Sequence, residues 1–161
     1  MQLLTKLLNC INHHIRNCVL VLASAVLLVS CGGGSGGVPP WIGTKQMGVT
    51  GQTTFGESVA TDANGNVYVA GATTGGLDGN TLTGTRDFFV TKYNSSGVKQ
   101  YTRQLGVAGK VTYSQSVATD TNGNVYVAGF TYGGLDGNTL TGTRDFFVTK
   151  YNSSGDKQFT R

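Results

Sequence analysis

The chain has 161 residues, 12 Lys and Arg against 8 Asp and Glu, a formal charge of +4, and 25 glycines. The basic residues are scattered, so no concentrated cationic face for phosphates can form, and nucleic acid is not expected as a partner. Both histidines (His13, His14) and all three cysteines (Cys10, Cys18, Cys31) lie at or before Cys31. The remainder can build neither a Ser-His-Asp nor a Cys-His nucleophile, nor a zinc site needing imidazole or thiolate.

Val19 to Val29 is a nearly unbroken apolar run, preceded by Lys6 and Arg16. Its length suits the apolar core of a secretory signal, roughly 7–15 residues, and falls short of the about 20 that a spanning helix needs. Residues 1–30 are therefore expected to be a signal peptide outside the fold. The run ends in Leu28-Val29-Ser30-Cys31, which resembles the bacterial lipobox. That resemblance implies cleavage before Cys31, acylation of its thiol, and anchorage on membrane lipid, since two or three acyl chains hold a protein stably. Loss of Lys6 and Arg16 takes the charge from +4 to +2. The expected location is exported and anchored to the cell envelope. In a Gram-negative host, Gly32 stands where an inner-membrane retention signal would have Asp, which implies the outer membrane. Residues 31–40 read as a tether: a flexible Gly/Ser stretch stiffened by Val38-Pro39-Pro40.

The folded part is expected over 41–161, as a partial strand at 41–46, a first repeat over about 47–104 and a second over about 105–161. In the first repeat, Ser58 to Thr61 reads as a strand. Asn64-Gly65 follows as a hairpin turn, both residues tolerating positive φ. Val67 to Ala70 is a second strand, rich in β-branched and aromatic residues. A Gly-rich loop runs from Gly75 to Asp87, Phe88 to Tyr93 is a third strand, Asn94 to Gly97 a second tight turn, and Lys99 to Gln104 a fourth strand. Nothing after the leader has helical periodicity long enough to compete.

Ser58–Arg103 lies on Ser116–Arg161 with only five pairs differing: Ala63/Thr121, Ala72/Phe130, Thr74/Tyr132, Val98/Asp156 and Tyr101/Phe159. More weakly, Thr44 to Val49 (TKQMGV) aligns with Thr102 to Val107 (TRQLGV). Four antiparallel strands repeated in tandem describe β-propeller blades. The phrases "SVATDxNGNVYVAG", "TRDFFVTKYNSSG" and "KQYTRQLG" resemble the bacterial SBBP beta-propeller repeat family. The resemblance implies an all-β fold of tandem four-stranded blades in an exported protein, with no activity to carry over. Two blades plus one extra strand are too few for a closed ring of about four to eight. Either the chain associates with copies of itself until a ring closes, or it is a truncated, non-functional piece of a longer propeller protein. The abrupt ending and the near-identity of the copies weigh toward truncation.

Oxygen chemistry is what remains. Asp62, Asn64 and Asn66, and equally Asp120, Asn122 and Asn124, place oxygens at alternate positions of a turn, as calcium would require. The EF-hand pattern fails, because glycine comes too early and Thr73 or Thr131 stands where Glu is needed. The competing reading is an Asx-stabilised hairpin. Asp78 and Asn80, with Asp136 and Asn138, sit in the long loop and are the second calcium or sugar candidates, against a plain Asp-Gly turn. Asp87 and Asp145 precede the third strands; nothing selects them for glycoside chemistry. Gly109-Lys110 lacks the rest of a phosphate loop. Tyr68, Phe88, Phe89, Tyr93 and Tyr126 read as core and inter-blade packing. Phe130 and Tyr132 enlarge one side of the second blade, tuning a ligand surface or filling a gap. The expectation is thus a lipid-anchored, surface-exposed or periplasmic binding or scaffolding module. It is expected to be no enzyme, with no cofactor unless calcium, and with a protein or polysaccharide ligand. A calcium-dependent carbohydrate-binding module is the alternative.

Overall fold

The structure is a computed structural model that describes residues 41–161. The expected signal peptide (1–30), Cys31 and the tether (31–40) lie outside the described residues. The strands are β1 (Thr54–Thr61), β2 (Val67–Thr73), β3 (Asp87–Tyr93), β4 (Lys99–Leu105), β5 (Thr112–Thr119), β6 (Val125–Thr131), β7 (Asp145–Tyr151) and β8 (Lys157–Thr160). They form two four-stranded antiparallel sheets, β1-β2-β3-β4 and β5-β6-β7-β8, with no closed barrel among them. The two sheets are the two blades expected from the repeat.

The core lies between the blades. Period-two alternation sends Tyr68, Ala70, Phe88, Val90 and Tyr101 to one face of the first blade. They meet Val117, Val125, Val127, Phe147 and Tyr151 on the facing side of the second. Phe88 stacks on Phe147 with ring centroids 4.9 Å apart and planes at 27°. Fully burying such a ring contributes about 1.5–3 kcal/mol, and the stacked pair somewhat more.

Identical sequence does not give identical burial. Phe88 is 0% exposed, yet its equivalent Phe146 is 82% exposed. Val117 is 6% exposed and its equivalent Val59 is 65%. Phe88 and Val117 face the neighbouring blade; Phe146 and Val59 occupy the two outer faces. Tyr126, expected to pack like Tyr68, is half-buried for the same reason, whereas Tyr68 is fully enclosed.

Three expectations change. Trp41 to Gln46 forms no strand. Each blade's fourth-strand position is already filled, by β4 in the first and β8 in the second. It lies instead against the outer face of the first blade, with Trp41 5.3 Å from the Tyr93 ring. Trp41 and Lys45 crowd Gly97 as Tyr101 crowds Gly155, so the segment does occupy the position of a preceding fourth strand. Next, β1 starts at Thr54, four residues earlier than Ser58, and carries a bulge between Gly56 and Ser58. The same bulge separates Ser114 from Ser116 in β5. Finally, Asn64 does not take positive φ; only Gly65 does, at 73°. Asp62 captures the Asn64 and Asn66 amides, which gives a longer loop with the left-handed residue last.

The bulges explain two glycines of the repeated "VYVAG" phrase. A Cβ on Gly129 would stand 1.8 Å from the Tyr113 carbonyl oxygen, and one on Gly71 1.9 Å from that of Phe55. Backbone would have to move to admit it. Gly129→Ala is expected to lower stability by about 1–3 kcal/mol in urea denaturation. Gly48→Ala, with nothing within 4 Å of the new Cβ, should change it little.

Candidate functional site

Asp62 stands at the end of β1 with every acceptor direction used. Its Oδ1 accepts the Asn64 amide at 2.9 Å and the Asn66 amide at 3.0 Å. Its Oδ2 accepts the Asn66 side-chain amide at 2.8 Å and the Tyr68 hydroxyl at 2.9 Å. Asp120 repeats the set with Asn122 N at 3.0 Å, Asn124 N at 2.9 Å, Asn124 Nδ2 at 2.7 Å and Tyr126 Oη at 3.2 Å. The donors converge on each carboxylate from the turn itself. A cation there would have to displace those N–H and O–H groups from the carboxylate oxygens. Asn64 and Asn122 contribute their backbone amides to this brace. Among the described residues, no group of three or more His, Cys, Asp or Glu is placed to hold a metal ion.

The braces set the charge state. At Asp62, burial pushes the carboxyl upward, but the bonds from the Asn66 side chain and amide, Tyr68 and the Asn64 amide outweigh it and hold it below its ordinary value. At Asp120, the Asn124 side chain leads the same downward shift. Tyr68 moves the other way, raised by burial and by its bond to Asp62.

Asp78 and Asn80 do separate jobs. Asp78 adopts φ 57° and ψ 41° inside a single 3-10 turn, Leu77–Gly79, and pairs with Lys99. Burial raises its carboxyl and the bonds from Lys99 and Thr102 lower it by more. The pair is partly exposed, so it adds little stability. The Asn80 side-chain amide donates to Leu77 O at 2.8 Å and to Thr102 O at 3.3 Å, fastening the loop to β4. Asp136 pairs with Lys157, and Asn138 donates to Leu135 O and Thr160 O, in the same arrangement.

Asp87 is fully buried and accepts Thr83 N at 2.7 Å, Gly84 N at 2.8 Å and Gln104 Nε2 at 3.0 Å. It organises the loop from within and offers no access to a substrate. Asp145 accepts Thr141 N and Gly142 N in the matching loop.

Asp78 and Asn80 reach an open surface together. Asp78, Gly79, Asn80, Gln100, Tyr101, Thr102, Arg103 and Ser154 line a polar groove of about 340 Å³ at the junction of the two blades. Arg103 bridges that junction by donating from Nε to Gly155 O at 2.7 Å. Sequence reasoning found Asp78 and Asn80 but missed Gln100, Arg103 and Ser154. No motif marks them: two sit on a strand of one repeat and one in a turn of the next. Tyr101, behind them, has a buried hydroxyl with no partner and its acidity is suppressed by burial to a pKa of about 12.

Asp62→Ala should cost about 1–3 kcal/mol, because it strips the partner from the buried Tyr68 hydroxyl and frees two turn amides. The lowered carboxyls set a sign for pH. Their stabilisation is complete above the ordinary carboxyl value of 3.8 and is lost as pH falls through the lower folded-state values. The melting temperature should therefore stay level from neutral pH to about 5 and fall below about 4, less steeply in Asp62→Ala. A chelator should leave melting unchanged at neutral pH.

Two segments of the chain, 42–78 and 100–136, match the SBBP beta-propeller repeat family. Each match enters from the fourth-strand position and runs through strands one and two to the 3-10 turn. The chain is also similar to Regulatory protein FlaEY of Caulobacter vibrioides, at 32% identity over 147 residues, covering 81% of this chain. It spans only 15% of that protein's length. The matched segments, the repeat period and the two four-stranded sheets agree on one architecture: two tandem four-stranded units similar to beta-propeller blades.

Proposed function

We propose that the chain is a lipid-anchored, non-catalytic binding module of the cell envelope that takes a polysaccharide in the groove between its blades. The groove itself carries the reading: Asp78, Asn80, Gln100, Arg103 and Ser154 converge there from both blades. Carboxylate, amide and guanidinium groups on rigid strands and short turns can hydrogen-bond the paired hydroxyls of sugars. The non-catalytic part is supported by how the carboxylates are used. Asp62, Asp87 and Asp120 direct their oxygens at the chain's own donors, and every histidine and cysteine precedes residue 41. The regulatory role in the name of the Caulobacter relative suits a part that binds without reacting. The anchor rests on the sequence around Cys31.

A glycan array probed with the full chain, followed by calorimetry on what it retains, tests the ligand. Gln100→Ala, a change at an exposed groove residue, should weaken binding about tenfold, the loss expected for a hydrogen bond in a desolvated contact. An array with nothing retained, or binding unaffected by the substitution, contradicts the reading. For the anchor, Cys31→Ser should abolish incorporation of a fatty-acid analogue and shift the chain out of the membrane fraction. Labelling that survives the substitution contradicts it.

A further inference from the structure

Among the described residues, the second blade's outer face is open and the first blade's is only partly covered, and each is a near copy of a face that the chain buries. The first blade's inner face carries Phe88, Val90 and Tyr68. Its counterpart on the second blade's outer face carries Phe146, Val148 and Tyr126. Likewise, the second blade's inner face carries Val117, Val125 and Phe147, matched on the first blade's outer face by Val59, Val67 and Phe89. These two outer faces are therefore the two complementary halves of the junction already formed in the middle of the molecule.

The polar contacts of that junction also have their equivalents in place. Ser58 Oγ accepts the Val117 amide at 3.2 Å, and Thr119 Oγ1 donates to Thr61 O at 3.0 Å. Ser116 and Val59, and Thr61 and Thr119, stand ready to repeat them between molecules. Lys92 Nζ donates to Ser153 O at 3.0 Å across the junction. Its equivalent Lys150 already lies over the Tyr126 ring at 5.3 Å, as Lys92 lies over Tyr68 at 5.5 Å.

We infer that the outer face of the second blade docks on the outer face of the first blade of another copy of this chain, reproducing the blade junction between molecules. The contact is heterologous, joining two different faces, so association proceeds head to tail. Two to four copies would supply the about four to eight blades of a closed propeller. Two features modulate the fit. Phe130 replaces the buried Ala72, but its ring is already seated on Tyr113 of its own blade, centroids 5.1 Å apart. Trp41 to Met47 covers part of the accepting face and leaves a cavity of about 340 Å³ that Val67, Val69 and Phe89 help to line. This inference stands apart from the proposed sugar groove and from the lipid anchor.

The heterologous geometry supplies its own test. The full chain, purified in a mild non-ionic detergent, is followed by size-exclusion chromatography with light scattering over a wide concentration range. Protein mass should rise in multiples of the chain. Phe146→Lys and Val59→Lys alter one face each at exposed positions. Either one should weaken self-association about tenfold or more, with melting unchanged. An equimolar mixture of the two variants should form a species of two copies and stop there, because each variant keeps the face that the other has lost. A monomer at all concentrations overturns the inference. So does association that survives either substitution, or a mixture that remains monomeric.

Discussion

The stacking of one blade on the next is the constraint on which the rest depends. A four-stranded sheet has two apolar faces and cannot bury either alone. The chain's answer is to set Phe88 and Val90 of one sheet against Phe147 and Val127 of the other. The Gly71 carbonyl contributes to that junction by accepting the Ser114 hydroxyl at 2.8 Å. The first long loop is tied to its own strands through Asp87 and Gln104, and to the second repeat by Thr85 N donating to Lys110 O at 2.8 Å. The groove exists because the junction brings the Asp78 loop of one repeat near the Ser154 turn of the next.

The acidic turns serve the same end. Asp62 and Asp120 each gather four donors within seven residues of chain, so the hairpins are held by contacts local in sequence. Asn94 and Asn152 use the same device between the third and fourth strands, each accepting two amides through Oδ1. Local closure of each hairpin limits the entropy lost when the strands pair.

Much of this was legible in the sequence. The β-branched and aromatic runs located the strands to within a few residues, and the 58-residue shift from Ser58 to Ser116 announced two equal units. The Asx reading of Asp62 rested on spacing alone, and spacing is what governs that brace. The bulge at Gly56 was hidden because it depends on where Phe55 O meets Gly71, a contact between strands. The turn type was misjudged because the Asp62 oxygen competes for the very amides that a two-residue turn would leave free. Trp41 to Gln46 was legible as a fourth-strand equivalent, but a fourth strand pairs with a third, and among the described residues no strand precedes Trp41. The groove was half legible: Asp78 and Asn80 stand in one suspicious loop, whereas Ser154 joins them only through blade packing.

The sharpest consequence is that position in the stack, and no property of the local sequence, decides what a residue is worth. Phe88 and Phe146 sit in the same 23-residue phrase, Gly75 to Gly97 and Gly133 to Gly155, and differ only in having a blade in front of them. Urea denaturation of Phe88→Ala and Phe146→Ala at low protein concentration tests this most directly. The account predicts a loss of about 3–5 kcal/mol for the first and a change within about 0.5 kcal/mol for the second. Equal losses at the two positions would contradict it.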